Sequence, residues 1–313
     1  MKPILRACLN KSAHRLFGRR CIVVATLFFI VTGLPAKDVE IVAPENFKVA
    51  ELKRPIPIPP RKLAEVKEIA GDFKAPDKQR PFHVILAAGK KDHGVDEHDY
   101  PFFQKRYKTL LGFGKNVTVD TSWTWPTDEQ YAKADVVVFN CMMHGLNRNE
   151  TKRLNDFLTK GGGAVYLHIG IQSHKFQKEQ SPNVGLVWSG RCRWRHGALD
   201  LDFTGTEHPI TKGFTKVHFH DESYWELKGD PKGITVLATS LETSKRGEPK
   251  TPQPQIWTKD VGKGRVVGNI LGHYSWTYDD PMFRILLFRS MGWVARDDLK
   301  RFDDLILLGA RVE

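Results

Sequence analysis

Histidines and carboxylates follow several apolar segments of this chain, and their spacing predicts a chemical site. The histidines concerned are His93, His98, His144, His168, His220 and His273. Glu222 lies two residues after His220, so on a strand these two side chains share one face while Asp221 lies on the other. Neutral imidazole and carboxylate bind divalent metals such as zinc, and they also exchange protons near neutral pH. The residue types therefore predict metal binding or general acid–base catalysis.

A strand–helix–strand unit in the middle of the chain provides the clearest structural pattern. Val136–Asn140 is a short apolar run typical of a buried parallel strand. Asn147–Lys160 has the one-faced apolar spacing of a helix, with Asn149 as its predicted N-cap, and a glycine triplet ends it. Ala164–Leu167 begins the next strand. This unit predicts a parallel α/β sheet.

The remaining elements extend this pattern into an α/β fold. Further strands are predicted at Phe82–Ala88, Asn116–Asp120, Ala198–Phe203, Val217–Asp221, Ile234–Thr239, Gln255–Thr258 and Val266–Leu271, and further helices at Arg61–Ala70, Tyr100–Gly112, Thr127–Lys133 and Met282–Ala295. The fold is therefore expected to be a doubly wound, mostly parallel sheet with antiparallel additions in the second half. Ligands bind beyond the carboxyl ends of the strands in such sheets, so we expect His93, His144 and His168 to meet at one edge.

Residues 1–36 have the pattern of a secretory signal peptide. Six basic residues and no acid accompany an apolar stretch, Cys21–Leu34, and cleavage is expected after Ala36. The apolar stretch is shorter than the roughly 20 residues that span a bilayer as a helix. An uncleaved anchor is the alternative. We expect an exported protein, periplasmic or extracellular, with no stable membrane span after cleavage.

The chain divides into four predicted segments. The signal peptide at 1–36 precedes an extended lead-in at 37–80, which contains the proline-rich Pro55–Pro60. A globular domain at 81–296 and a C-terminal extension at 297–313 complete the chain.

Composition excludes some functions. The formal net charge is +12, and six of these charges leave with the signal peptide. The remaining excess is spread among interleaved acids, without the basic stripe of a nucleic-acid-binding protein. Cys141 and Cys192 remain after cleavage, and we expect two unpaired thiols in preference to a disulfide. The sequence leaves the oligomeric state open.

Six motifs in series carry a resemblance to a known family. They are Ala88–His98 (AGKKDHGVDEH), Gly161–His168 (GGGAVYLH), His208–Gly213 (HPITKG), His220–Tyr224 (HDESY), Gly262–Val266 (GKGRV) and Leu271–Arg284 (LGHYSWTYDDPMFR). In this order they resemble the ThuA-like (trehalose utilisation) family, a branch of the class I glutamine amidotransferase-like superfamily, over about residues 82–295. The chain departs from the commonest pattern after His273, where Tyr274 and Ser275 stand instead of an acidic residue.

The resemblance implies a flavodoxin-like three-layer sandwich and a role in carbohydrate metabolism, including the processing of oxidised (keto) disaccharides. It does not imply glutaminase activity, because the superfamily's catalytic Cys–His pair is absent from the turn where it would lie. Arg191 follows a glycine in a stretch that matches a glycine–arginine loop of the family, although the residues after it are unusually basic.

These observations predict roles for individual residues. The catalytic candidates are His93, His168, Glu222 and His273; the substrate-binding candidates are His144, His220, Asp221, Arg191, Trp125 and Trp276; and the metal candidates are His93, His98 and His168. The leading hypothesis is a hydrolase or isomerase that acts on a keto-sugar or disaccharide, with a divalent metal such as zinc as a candidate cofactor. The alternatives are a carbohydrate-binding module without turnover and an amidase that uses Cys141 as its nucleophile.

Overall fold

The computed structural model describes residues 47–243 and 245–313. The predicted signal peptide and residues 37–46 of the predicted lead-in lie outside the described residues. No helix within the described ranges is long and apolar enough to cross a membrane.

A nine-stranded sheet forms the centre of the described structure. The strands are β1 (Phe82–Ala88), β2 (Val117–Trp123), β3 (Val136–Asn140), β4 (Gly163–Leu167), β5 (Leu186–Val187), β6 (Arg193–Asp202), β7 (Lys216–Trp225), β8 (Lys228–Gly229), β9 (Thr235–Glu242), β10 (Thr251–Val261) and β11 (Gly264–Asn269). The order across the sheet is β2-β1-β3-β4-β11-β10-β9-β6-β7, while β5 and β8 form a separate two-stranded ribbon. Neighbours from β2 to β11 are parallel, and those from β11 to β7 are antiparallel. This mixed sheet confirms the predicted fold class.

Six helices accompany the sheet in the described structure. They are α1 (Leu63–Ala70), α2 (Tyr100–Leu111), α3 (Asp128–Lys133), α4 (Arg148–Thr159), α5 (Gln177–Val184) and α6 (Pro281–Val294). The predicted N-cap of α4 was wrong by two residues. The side chain of Asn147 accepts hydrogen bonds from the backbone N–H groups of Asn149 and Glu150. Asn149 instead lies within the first turn of the helix.

Two apolar cores lie on opposite faces of the sheet. Because side chains alternate along a strand, Val84 and Leu86 of β1 face one core while Ile85 and Ala87 face the other. Helices α2 and α6 belong to the first core, and α4 belongs to the second. Covering both faces requires continuously apolar strands, which explains the unbroken apolar run of β3.

The segments on either side of the domain pack against it. The backbone N–H groups of Lys53 and Arg54 donate to the carboxylate of Asp96 at 2.8 and 2.7 Å. Leu63 at the start of α1 donates its backbone N–H to the carbonyl of Glu313 at 2.9 Å. The described part of the lead-in and the C-terminal extension therefore contact each other as well as the domain.

Candidate functional site

Four loops or strands deliver a histidine–carboxylate cluster to one edge of the sheet. His168 directly follows β4, His273 lies four residues after β11, and His98 lies in the loop after β1. Glu222 is near the carboxyl end of β7. That strand is related to β11 by four successive antiparallel pairings, so the carboxyl ends of both strands lie at the same edge.

The β6–β7 hairpin brings Glu222 close to the other three residues. In the described structure β6 pairs with β9 only at Asp202 and Thr239, whereas β6 and β7 pair along their full length. Near the other end of the hairpin, the Gln255 side chain of β10 donates to the carbonyl of Tyr224 at 2.7 Å. The hairpin is thereby held against the sheet beside the site.

The four side chains of the cluster, His98, His168, Glu222 and His273, are buried, and their ligand atoms all lie within 4.8 Å of one another. The Nε2 atom of His168 is 2.9 Å from Nε2 of His98 and 3.1 Å from Oε2 of Glu222. The Nδ1 atom of His273 is 2.9 Å from the same carboxylate oxygen and 3.2 Å from Nε2 of His168.

The backbone of the site adopts conformations that cost energy. His93, His98 and His168 have φ values of 62°, 44° and 49°, in the left-handed region. A few per cent of non-glycine residues occupy this region, and such residues concentrate at functional sites. The occurrence of three in one site supports a functional requirement for the directions of these side chains.

Two aspartates at the periphery of the cluster form hydrogen bonds that position the His273 loop and the His98 ring. Asp221 is completely buried and accepts hydrogen bonds from the backbone N–H groups of Gly272 and His273, at 3.1 and 3.0 Å, and from the hydroxyl of Thr277. It therefore fixes the loop that carries His273. Asp92 lies 2.5 Å from Nδ1 of His98, so its carboxylate accepts the proton of that nitrogen.

The cluster combines an anion with imidazoles of different basicity. Burial acts to raise the pKa of Glu222, but the hydrogen bonds and charges of His168 and His273 outweigh it and hold that pKa well below its usual range. Burial acts to lower the pKa of His168, but Glu222 outweighs it and raises that pKa. Burial lowers the pKa of His98 to about 3 despite its hydrogen bond to Asp92. Glu222 is therefore ionised at neutral pH, and His98 is neutral.

Partly exposed groups line the open side of the cluster. Nε2 of His196 lies 3.2 Å from Oε1 of Glu222, and its side chain is 38% exposed. The centroid of the His93 ring lies 3.9 Å from that of His98, with the two rings tilted by 50°, and His93 is also exposed. Trp194, on the same face of β6 as His196, is 55% exposed, with its ring 5.1 Å from that imidazole. The buried cluster thus reaches solvent through an imidazole beside an exposed indole.

The structure places the predicted substrate-binding residues in different positions. His220 lies beside the rings of Tyr274 and Trp276, both at 6.1 Å, and the indole N–H of Trp276 donates to its carbonyl at 2.8 Å. Asp221 lies beneath the His273 loop, as described above. Arg191 is exposed in the turn between β5 and β6.

His144 and Trp125 lie together in another loop. The indole N–H of Trp125 donates to the carbonyl of His144 at 2.9 Å. His144 lines a separate pocket of about 280 Å³ with His174 and Phe176. The structure therefore does not bring His144 to the cluster.

Sequence reasoning missed Asp92, His196 and Tyr224. The hydroxyl of Tyr224 lies 3.0 Å from Nε2 of His168, and His196 pairs directly across the hairpin with Glu222. The predicted strand began at Ala198, five residues after the true start of β6, which left His196 in an unassigned loop. Residues Arg193–Ala198 are exposed or half-buried and show no apolar alternation, so the sequence carries no signal that extends the strand to His196.

Cys141 is poorly suited to nucleophilic catalysis. It is completely buried, and burial raises the pKa of its thiol to about 12. The thiolate is the reactive form of cysteine, so this environment disfavours the predicted amidase alternative. Cys141 and Cys192 are both free thiols.

The fold and the cluster together define an α/β protein with a histidine–carboxylate site at the carboxyl edge of a mixed sheet. The ThuA family profile, described as trehalose utilisation, matches residues 84–294. The chain belongs to the ThuA family, and this membership supports a carbohydrate-related role.

Two solved structures share the fold. A ThuA-like protein from Parabacteroides merdae ATCC 43184 is 21% identical with a TM-score of 0.55, over 69% of this chain and 90% of that chain. A ThuA-like protein from Bacteroides uniformis ATCC 8492 is 17% identical with a TM-score of 0.54, over 72% of this chain and 98% of that chain. A search of curated proteins finds no match to this sequence.

Proposed function

We propose that this protein is a carbohydrate-processing enzyme, a hydrolase or isomerase that acts on a keto-sugar or a disaccharide. The observation that carries the proposal is the convergence of His98, His168, His273 and Glu222 into one buried cluster with an exposed imidazole at its opening. Family membership supports the substrate class. The chemistry of the cluster supports proton transfer to or from such a substrate.

The Glu222–His196 pair is the proposed route for the proton. Glu222 is ionised and contacts His196 through Oε1, so it stabilises the imidazolium that forms when His196 takes a proton from a sugar hydroxyl or from water. The same imidazolium then returns the proton to the departing oxygen. His168 and His273 hold the other carboxylate oxygen and fix its direction.

An aromatic side chain beside this pair supplies a binding surface for a sugar ring. The exposed indole of Trp194 offers a flat apolar face, whereas Tyr274 and Trp276, which stack on each other at 4.1 Å near His220, are 4% and 3% exposed and belong to the buried packing. Flat aromatic faces provide contact area at low conformational cost, and nearby imidazoles can hydrogen-bond hydroxyl groups. We propose that the sugar lies between the Trp194 ring and the Glu222–His196 pair.

We also propose that the protein works outside the cytoplasm. The support is the sequence alone: basic residues, then the apolar Cys21–Leu34 stretch, then Ala36 at the expected cleavage site. Fractionation of cells that express the full chain, with N-terminal sequencing of the product, tests this. A periplasmic or secreted product that begins near residue 37 is expected, and an uncleaved cytoplasmic product contradicts it.

A panel of disaccharides and their keto derivatives tests the enzyme proposal. Wild-type protein is expected to convert at least one member, and His168→Ala and Glu222→Ala are expected to abolish the conversion. Unchanged turnover in both variants contradicts the proposed site. Measurable affinity without any product after long incubation contradicts catalysis and instead identifies a carbohydrate-binding module.

A further inference from the structure

The same four side chains bring one ligand atom each to within 4.8 Å of all the others. The four contacts from Nε2 of His98 to Nε2 of His168, and among His168, His273 and Glu222, measure between 2.9 and 3.2 Å. We propose that His98, His168, Glu222 and His273 bind one divalent transition-metal ion, of which zinc best suits three imidazole nitrogens and one carboxylate oxygen. This site does not depend on the proposed sugar turnover.

The outer contacts of two imidazoles determine which nitrogens carry hydrogen. Nδ1 of His98 faces the carboxylate of Asp92, and Nδ1 of His168 faces the carbonyl of Ile270 at 2.8 Å. Carboxylates and carbonyls only accept, so both Nδ1 atoms carry the proton, and in the neutral rings both Nε2 atoms present lone pairs. These two lone pairs face each other at 2.9 Å, which is repulsive unless a cation lies between them.

A proton on Nε2 of His168 accounts for these short contacts less well than a metal ion does. Nε2 of His168 lies within 3.2 Å of four atoms: Nε2 of His98, the hydroxyl of Tyr224, Nδ1 of His273 and Oε2 of Glu222. A single N–H at that nitrogen is directed at one of them. Ligands of a tetrahedral ion with bonds of about 2.0–2.1 Å are about 3.3 Å apart, so shifts of a few tenths of an ångström convert this arrangement into a coordination shell.

The local charge favours a divalent cation. Glu222 and Asp221 are adjacent and both buried. Within the part of the chain that the structure describes, the ion-pair partners of Glu222 are the histidines His168, His196 and His273. The backbone N–H groups of Gly272 and His273 donate to the carboxylate of Asp221, so Glu222 is the carboxylate that faces the imidazoles. One carboxylate oxygen beside three imidazole nitrogens is a ligand set typical of zinc.

Two of the cluster histidines make the outer hydrogen bonds that metal-binding histidines normally make. A ligating histidine usually donates its other ring N–H to a carboxylate or a carbonyl, as His98 does to Asp92 and His168 to Ile270. The Nε2 atom of His273 is buried and has no hydrogen-bond partner among the described residues. With Nδ1 on the metal, Nε2 of His273 carries the proton, and this buried donor lacks the outer acceptor that His98 and His168 have.

Metal binding is measured without substrate. The full-length protein is treated with a chelator and titrated with Zn²⁺ and with Co²⁺ against a competing indicator. One equivalent per chain is expected, and the Co²⁺ form is expected to show the visible absorption bands of a four-coordinate, tetrahedral site. His168→Gln and Glu222→Gln are expected to lose binding, whereas Asp92→Asn is expected to weaken affinity by about 10- to 100-fold.

His220→Gln is the matched control, because this histidine lies on β7 two residues before Glu222 but outside the four-residue cluster. It is expected to keep the wild-type affinity. Circular dichroism identifies variants that fail to fold, and the Co²⁺ spectrum of the wild-type protein then remains as the deciding measurement. Absence of stoichiometric binding in the wild-type protein, or undiminished affinity in folded Glu222→Gln, overturns the proposal.

Discussion

At the scale of single residues, the surroundings decide what each histidine can do. His218 pairs at 2.7 Å with Asp200 in solvent, two residues from His220 and four from Glu222 on the same strand. His168 has the same side chain but is completely buried, and four polar atoms surround one of its nitrogens. Chemistry is concentrated in the second environment because interactions between charged and polar groups are stronger away from water.

The sequence predicted part of this residue-level picture. The alternation of side chains along a strand places His220 and Glu222 on one face of β7 and Asp221 on the other. It does not reveal that the carboxylate of Asp221 accepts hydrogen bonds from the backbone of the His273 loop. Such contacts join residues about fifty positions apart. No local pattern records them.

Trp194 is the residue whose contribution to binding is easiest to separate. Trp194→Ala is expected to raise KM by about 2- to 10-fold with little change in kcat, since an aromatic contact contributes roughly 0.5–1.5 kcal/mol. The measurement is steady-state kinetics on the substrate identified by the panel. Phe113→Ala is the control, because Phe113 is also an exposed aromatic residue but precedes β2 at the opposite edge of the sheet. An equal effect in both variants contradicts the assigned surface.

At the scale of secondary structure, apolar periodicity predicted the parallel half of the sheet well. Strands β1 and β3 have the predicted bounds, because both are buried on two faces and therefore uniformly apolar. Strand β6 was predicted too short, because its first residues are exposed and polar. The part of β6 that carries His196 is therefore the part that could not be predicted from the sequence.

The N-cap of α4 gives a direct test at this scale. Asn147→Ala is expected to lower the free energy of unfolding by about 1 kcal/mol, because two backbone N–H groups lose their acceptor. Asn149→Ala is expected to change it by less than about 0.5 kcal/mol. Urea unfolding of both variants makes the comparison. The reverse ranking would restore Asn149 as the cap.

At the scale of the whole molecule, the chain segments outside the predicted domain are structural parts of it. Arg61 of the lead-in forms an ion pair at 2.7 Å with Asp280, at the start of α6. The backbone of Arg311 donates to the carbonyl of Asp279 at 2.8 Å. The proline-rich lead-in has no periodicity that reveals its docking surface, so these contacts could not be predicted from the sequence.

The C-terminal extension also contains a buried acid. Burial raises the pKa of Asp303 to about 7, and one of its carboxylate oxygens has no partner among the described residues. A carboxyl group whose folded pKa exceeds its unfolded value stabilises the fold when protonated, so this contribution is complete at low pH and is lost as the pH rises towards 7. Wild-type stability therefore contains a component that decreases between about pH 4 and pH 7.

Asp303→Asn removes this component. The stability of the variant relative to wild type is expected to increase by about 1–3 kcal/mol between pH 5 and pH 8, since one pKa unit corresponds to about 1.4 kcal/mol. Urea unfolding at both pH values measures the change, with the exposed Asp260→Asn as control. A difference that does not depend on pH contradicts the assignment.

The most direct test of the proposed function is an NMR time course of the best substrate from the panel, with wild type, Glu222→Gln and His83→Gln in parallel. Glu222→Gln keeps the shape of the side chain but removes its charge, so turnover is expected to fall by about 10²- to 10⁴-fold. His83 of β1 pairs at 2.8 Å with Asp120 of β2, away from the cluster, and its variant is expected to match wild type. Wild-type turnover in a folded Glu222→Gln protein would contradict the assignment of this cluster as the site of proton transfer.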